Sequence, residues 1–158
     1  MKTVIKIPKG IEKLARLGCI ELGWRKIAEG SRPLITCSDE AASYLRPLFP
    51  DIEVRERVVI LLLNNQHRVL GNFTVGIGSA TQCTADVRMI VQVALGVNAV
   101  SVMMSHCHPS GNPKVSNADI DFTKRVKDAL LFFDIALLDH VILLPGETHY
   151  SFADDGML

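Results

Sequence analysis

Ala99-Val100-Ser101-Val102-Met103-Met104-Ser105-His106-Cys107-His108-Pro109-Ser110-Gly111-Asn112-Pro113-Lys114-Val115-Ser116-Asn117-Ala118-Asp119 changes character twice along its length. The apolar run from Ala99 to Met104 reads as a strand. Ser105 to Val115, rich in His, Pro, Ser, Gly and Asn, reads as a loop. Beyond it a helix is predicted from about Asn117 to Phe133, because Phe122, Val126, Ala129, Leu130 and Phe133 recur at helical spacing. His140 to Leu144 is again strand-like. Strand, helix and strand make a β-α-β unit, although the sequence leaves open whether the two strands are neighbours.

Working outward, Arg57 to Asn64 is β-branched and apolar on both faces, as a buried strand should be. Asn64 to His67 forms a turn, and Arg68 to Gly78 returns as the second arm of a hairpin. Asp86 to Val97 has helical length and apolar residues nearly all round, which predicts a largely buried helix. Ser38, followed by Asp39 and Glu40, opens a short helix that ends before Pro47. Cys19 to Trp24 alternates like a strand, Gly30-Ser31-Arg32-Pro33 is a loop, and Pro145-Gly146-Glu147 turns into a closing strand at His149 to Phe152. These elements predict a mixed α/β fold: one domain, with a mixed central β-sheet flanked by helices.

The chain has 158 residues, enough for one domain and too few for a (β/α)8 hydrolase. With 48% hydrophobic residues it can build a proper core. Its 17 basic and 17 acidic residues cancel, so no global field draws it to nucleic acid or to an anionic membrane. The four cysteines, at 19, 37, 83 and 107, include no C-x-x-C pair, which argues against a zinc ribbon or a redox dithiol. No apolar run approaches the length of a signal peptide or a membrane span, so a cytoplasmic location is the default expectation.

The chemistry is concentrated between Ser105 and Asp119. Two histidines two apart on an extended segment present their imidazoles to one side, and such a pair can grip one metal ion. Catalytic zinc takes three protein ligands and leaves a fourth position to water. Asp119 is a suitable third ligand if the Pro- and Gly-containing loop folds back. Three mixed N/O ligands suit zinc better than calcium or magnesium. A competing reading of Asp119 is structural, because Ser116-x-x-Asp119 has the spacing of a helix capping box. H-E-x-x-H is absent, and so is the deaminase H-x-E with P-C-x-x-C.

His106-Cys107-His108-Pro109-Ser110-Gly111, Ser116-x-x-Asp119 and Leu138-Asp139-His140 resemble the RadC group of JAB/MPN-domain (JAMM) proteins, whose signature is H-x-H, seven residues, S-x-x-D. The likeness extends through Glu56, Asn64, Val69-Leu70, Arg88 and Asn98-Ala99 to Tyr150-Ser151-Phe152-Ala153 and Gly156. It covers about residues 31 to 158 as a RadC-like JAB/MPN domain and leaves 1 to 30 as an N-terminal extension. No counterpart of the helix-hairpin-helix segment of longer family members is recognisable there.

The resemblance implies a cytidine-deaminase-like JAB architecture and a zinc metallopeptidase or isopeptidase. It implies His106, His108 and Asp119 as ligands of Zn2+, with Glu56 and Ser116 as catalytic residues. In that reading Glu56 moves the proton of the attacking water, and Ser116 donates to the developing oxyanion. Without the resemblance, Glu56 between Arg55 and Arg57 would read as a surface ion-pair residue. Cys107 stands where the family usually has Asn, and it is expected to point away from the histidines and pack. Cys83 to Arg88 replaces a stretch that usually reads T-x-V-H-P-R, so the groove beside the site is expected to differ. His67, His140 and His149 lack partners at ligand spacing. They are expected to be a turn residue, a core or supporting histidine, and a strand residue.

Three functions follow as expectations. The first is a zinc metallohydrolase acting on a peptide or protein substrate. The second is a non-enzymatic or accessory role in DNA repair, although neutral charge speaks against strong direct nucleic-acid contact. The third is a metal-stabilised scaffold, which would have no use for Glu56.

Overall fold

Seven residues, Arg57–Leu63, form a strand, β1, that is buried from Val58 onward, and its two sets of alternating side chains define two cores. Val59, Leu61 and Leu63 face one side of the sheet, and Val58, Ile60 and Leu62 face the other. Removing a side chain such as Leu61 would cost about 2–5 kcal/mol. The computed structural model describes residues 32–79 and 85–158. The strand expected at Cys19 to Trp24, the whole N-terminal extension and Cys83 lie outside the described residues.

The other strands are β2 (Val69–Ile77), β3 (Ser101–Cys107), β4 (Ala136–Leu143) and β5 (His149–Ser151). They form one mixed sheet in the order β2-β1-β3-β4-β5. β1 pairs antiparallel with β2 and β3, β3 and β4 are parallel, and β5 returns antiparallel. The β-α-β unit is therefore real, and its two strands are neighbours. In the β1–β2 hairpin the Asn64 side-chain oxygen accepts from the amides of Gln66 and Arg68, while His67 takes the left-handed conformation at φ 55°.

Among the described residues, three α-helices cover the sheet. α1 (Ser38–Leu45) packs Ala41, Ala42 and Leu45 on one face, and a 3₁₀ turn, Arg46–Leu48, follows at Pro47. The helix opens at Ser38, as the sequence predicts. It begins after Cys37, Glu40 reaches back to the Thr36 amide, and the Ser38 hydroxyl donates to Asp154 at 2.5 Å.

α2 (Val87–Gly96) and α3 (Asn117–Leu131) cover the opposite face. α2 differs from expectation. Only Ile90 and Ala94 are fully buried, and Met89 and Leu95 remain exposed, because the helix lies on one side of a sheet that can cover only one of its faces. No helix among the described residues is long and apolar enough to cross a membrane.

Candidate metal centre

β3 runs to Cys107, so His106 lies inside the strand and the loop begins at His108, later than the composition suggests. Strand alternation turns His106 to the α3 side, with Val102 and Met104, and sends Cys107 into the α1-side core. There the Cys107 thiol donates to the Arg55 carbonyl at 3.3 Å, and burial pushes its pKa up to about 11. The expectation that Cys107 packs away from the histidines holds.

His108 keeps the strand pairing for one more residue, its amide donating to the Leu143 carbonyl at 3.1 Å. Its ring returns to the side of His106, and the two Nε2 atoms lie 2.9 Å apart. The loop then folds back on His108. The Gly111 amide donates to the His108 carbonyl, with Gly111 at φ 71°, a conformation that glycine adopts without strain. His108 Nδ1–H donates to the Asn112 carbonyl at 2.9 Å. A carbonyl can only accept, so the proton of the neutral ring sits on Nδ1 and Nε2 carries a bare lone pair.

The first turn of α3 supplies the third group. Ser116 is its N-cap: its hydroxyl accepts from the Asp119 amide, and the Asp119 carboxylate accepts from the Ser116 amide in a complete capping box. The carboxylate also faces the histidines, with Oδ1 3.2 Å from His106 Nε2 and Oδ2 3.7 Å from His108 Nε2. The capping reading of Asp119 therefore holds, and the same carboxylate is free to face a metal position, with Oδ2 shared between the cap and His108. Burial raises the pKa of this carboxyl, but hydrogen bonds from the protonated forms of His106 and His108 outweigh it and hold the group far below the ordinary range. The same bond to Asp119 raises the pKa of His108 against the opposing effect of burial.

The three ligand atoms lie within 4.8 Å of one another, and His106, His108 and Asp119 can hold a metal ion. The donor set fits one. An imidazole lone pair, a second ring nitrogen and a carboxylate converge on one point, and a cation is what stabilises such a convergence.

Glu56 precedes β1 and extends its pairing with β2, donating to Ser79 and accepting from the Gly78 amide. Val58 is opposite His106 at the end of the β1–β3 pairing, and continuing that register by two places would bring Glu56 opposite His108. Its charge contributes to raising the His108 pKa. The flanking arginines do not claim it, because Arg55 and Arg57 both pair with Asp51, at 3.1 and 2.8 Å. Glu53, an acid three residues further from the strand, is exposed. The hydroxyl proton of Ser116 is engaged with Asp119 Oδ2 at 2.6 Å.

Behind His106 lies a group that the spacing of ligands does not reveal. His106 Nδ1 is 2.7 Å from His140 Nε2, and His140 Nδ1 is 2.6 Å from Thr123 Oγ1. A bulge at Leu138 aligns His140 with Met104 on the His106 side of the sheet; without it His140 would lie beside Ser105 and face α1. Asp139, pointing the other way, accepts from the Ser151 hydroxyl and from the amides of His140 and Ala153. His140 stacks on Phe152 at 4.7 Å, and complete burial holds its pKa well below the ordinary value. Thr123 carries no signal in the sequence, since a lone threonine in a helix is unremarkable.

A family profile described as the RadC-like JAB domain matches residues 35–157. Among curated proteins, a UPF0758 protein of Vibrio cholerae is 38% identical over 121 residues, which is 77% of this chain and 75% of that protein. One from Aeromonas salmonicida is 37% identical over 152 residues, covering 94% of this chain and 66% of that protein. One from Flavobacterium johnsoniae is 32% identical over 143 residues, covering 89% and 62%. The chain thus spans less than two thirds of the length of some relatives that it matches.

Proposed function

This chain belongs to the RadC-like JAB domain family, and from that membership and the geometry of the site we propose that it is a zinc-dependent hydrolase of peptide or isopeptide bonds. The observation that carries the reading is the convergence of His106, His108 and Asp119 beside a glutamate that neither neighbouring arginine neutralises. A purely structural zinc site would usually close its fourth position with protein and would need no such acid.

His106, His108 and Asp119 would hold the ion, and zinc there supplies Lewis acidity that polarises a carbonyl and acidifies water. Glu56 accepts the proton of the attacking water and returns it to the leaving amine, which turns a poor leaving group into a neutral one. Ser116 turns its hydroxyl from Asp119 toward the oxygen that becomes negative. The capping bond from the Asp119 amide does not consume the serine's proton, so the helix start survives that rotation.

Metal analysis after dialysis against a weak chelator tests the site, and a peptide and isopeptide library tests the reaction. One zinc per chain, lost in His106→Ala, together with zinc-dependent cleavage is the expected result. Full zinc stoichiometry in His106→Ala would refute the assignment.

A further inference from the structure

Thr123 and His140 touch no position that a substrate could reach, yet they are buried in line behind a ligand histidine, at 3% and 1% exposure. We propose that they form a one-way hydrogen-bond relay that fixes His106 with its proton on Nδ1 and so keeps a bare Nε2 aimed at the metal position. This rests on the metal-site reading above and adds to it the device that prepares the ligand.

The direction of the relay follows from its far end. Thr123 Oγ1 lies 2.6 Å from the carbonyl oxygen of Asp119, four residues earlier on α3. A carbonyl can only accept, so the single hydroxyl proton points there. Oγ1 must then accept from its other neighbour, and His140 carries its proton on Nδ1. A neutral ring protonated on Nδ1 has a bare Nε2, which can only accept from His106 Nδ1. His106 therefore holds its proton on Nδ1, and its Nε2 presents a lone pair beside that of His108. Every bond in the chain has one possible direction once the first is set. The residue that sets it, Thr123, is one helical turn beyond Asp119, so α3 supplies both the anionic ligand and the orientation of a neutral one.

Removal of the hydroxyl inverts the chain. In Thr123→Val a proton on His140 Nδ1 would be a buried donor without a partner, which is unfavourable. The proton moves to Nε2 and donates to His106 Nδ1, which drives the His106 proton onto Nε2, where the metal should sit. Groups behind metal-binding histidines are commonly worth about 10- to 100-fold in affinity.

The experiment uses the full chain labelled with ¹⁵N-histidine, stripped of metal, near pH 8. Two-bond ¹H–¹⁵N spectra give the tautomer of each ring, and competition with a chromogenic chelator gives zinc affinity. The parent and Thr123→Ser should show His106 and His140 protonated on Nδ1. Thr123→Val should show both protonated on Nε2 and bind zinc about 10- to 100-fold more weakly, with unchanged far-UV circular dichroism. Loss of packing alone would not invert two rings, nor be reversed by the smaller serine. His106 protonated on Nε2 in the parent, or unchanged tautomers in Thr123→Val, would overturn the proposal. A parent that binds no zinc would refute the metal-site reading, while the tautomers would still decide the relay.

Discussion

The hydroxyl of Ser116 donates to Oδ2 of Asp119 at 2.6 Å, and the carboxylate held in this way turns Oδ1 to within 3.2 Å of His106 Nε2. One carboxylate thus serves the start of α3 and the metal position together, and two substitutions separate the roles. Ser116→Ala removes the cap and should lower stability by about 1 kcal/mol, measured by urea denaturation, while zinc stays bound. Asp119→Asn keeps an oxygen that can accept from the Ser116 amide but loses the ligand's charge. It should weaken zinc far more than Ser116→Ala does, and equal affinities would remove Asp119 from the ligand set.

Two opposite shifts give the metal-free protein a defined pH window. His108 is raised above its ordinary 6.5, chiefly by Asp119, so the folded state binds that proton more tightly than the unfolded chain. Its contribution is fully present below 6.5 and is lost as pH rises through the folded value. Asp119 is lowered from 3.8, so its contribution is present above 3.8 and is lost as pH falls toward the folded value. The pair therefore stabilises the metal-free fold most between these limits. Zinc replaces the proton, and its affinity should rise with pH. Melting temperatures from pH 5 to 8.5 in chelator and in zinc should diverge as pH rises, and parallel curves would contradict the site.

Cys107 sits between two proposed ligands and should nevertheless be inert. Its side chain is fully buried on the other face of the sheet, and its thiol is pushed up to about 11 by that burial. Thiolate is the reactive form, so iodoacetamide at pH 8 should alkylate exposed Cys37 and leave Cys107 unmodified until the protein unfolds. Cys107→Ala should keep full zinc stoichiometry. Labelling of Cys107 in the folded protein would mean that its side chain does not face the α1-side core.

The parts of the site legible in the sequence are those governed by local periodicity. Period-2 alternation separates His106 from Cys107, and the Ser116-x-x-Asp119 spacing gives both a helix cap and a carboxylate near the strand end. The end of β3 was less legible, because His106 and Cys107 look like loop residues until β1 and β4 pair with them on either side. Composition overstates the burial of α2, because it counts apolar residues without saying how many faces the sheet can cover. The place of His140 depends on a bulge of one residue, and the place of Thr123 depends on where α3 crosses β4. Neither depends on local spacing, so both become visible only in the folded chain.

Glu56 separates an enzyme from a metal-stabilised scaffold. It comes opposite His108 when the β1–β3 register is continued, and Asp51 takes both neighbouring arginines, so its charge is left to act toward the site. It is assigned to proton transfer and not to ligation. Glu56→Gln keeps the shape of the side chain but cannot accept the proton of water, and a positioned acid–base group is worth about 10²- to 10⁴-fold in rate. The substitution should leave zinc content and thermal stability close to those of the parent and reduce cleavage by that factor against any library peptide that the parent cuts. Glu53→Gln is the control, since Glu53 is exposed and lies further from the strand; it should leave cleavage unchanged. If Glu56→Gln loses zinc as completely as His106→Ala, the glutamate supports or ligates the metal and the proton-transfer role fails. If it retains zinc and full activity, the general base is another group, and the register that brings Glu56 opposite His108 has no catalytic meaning.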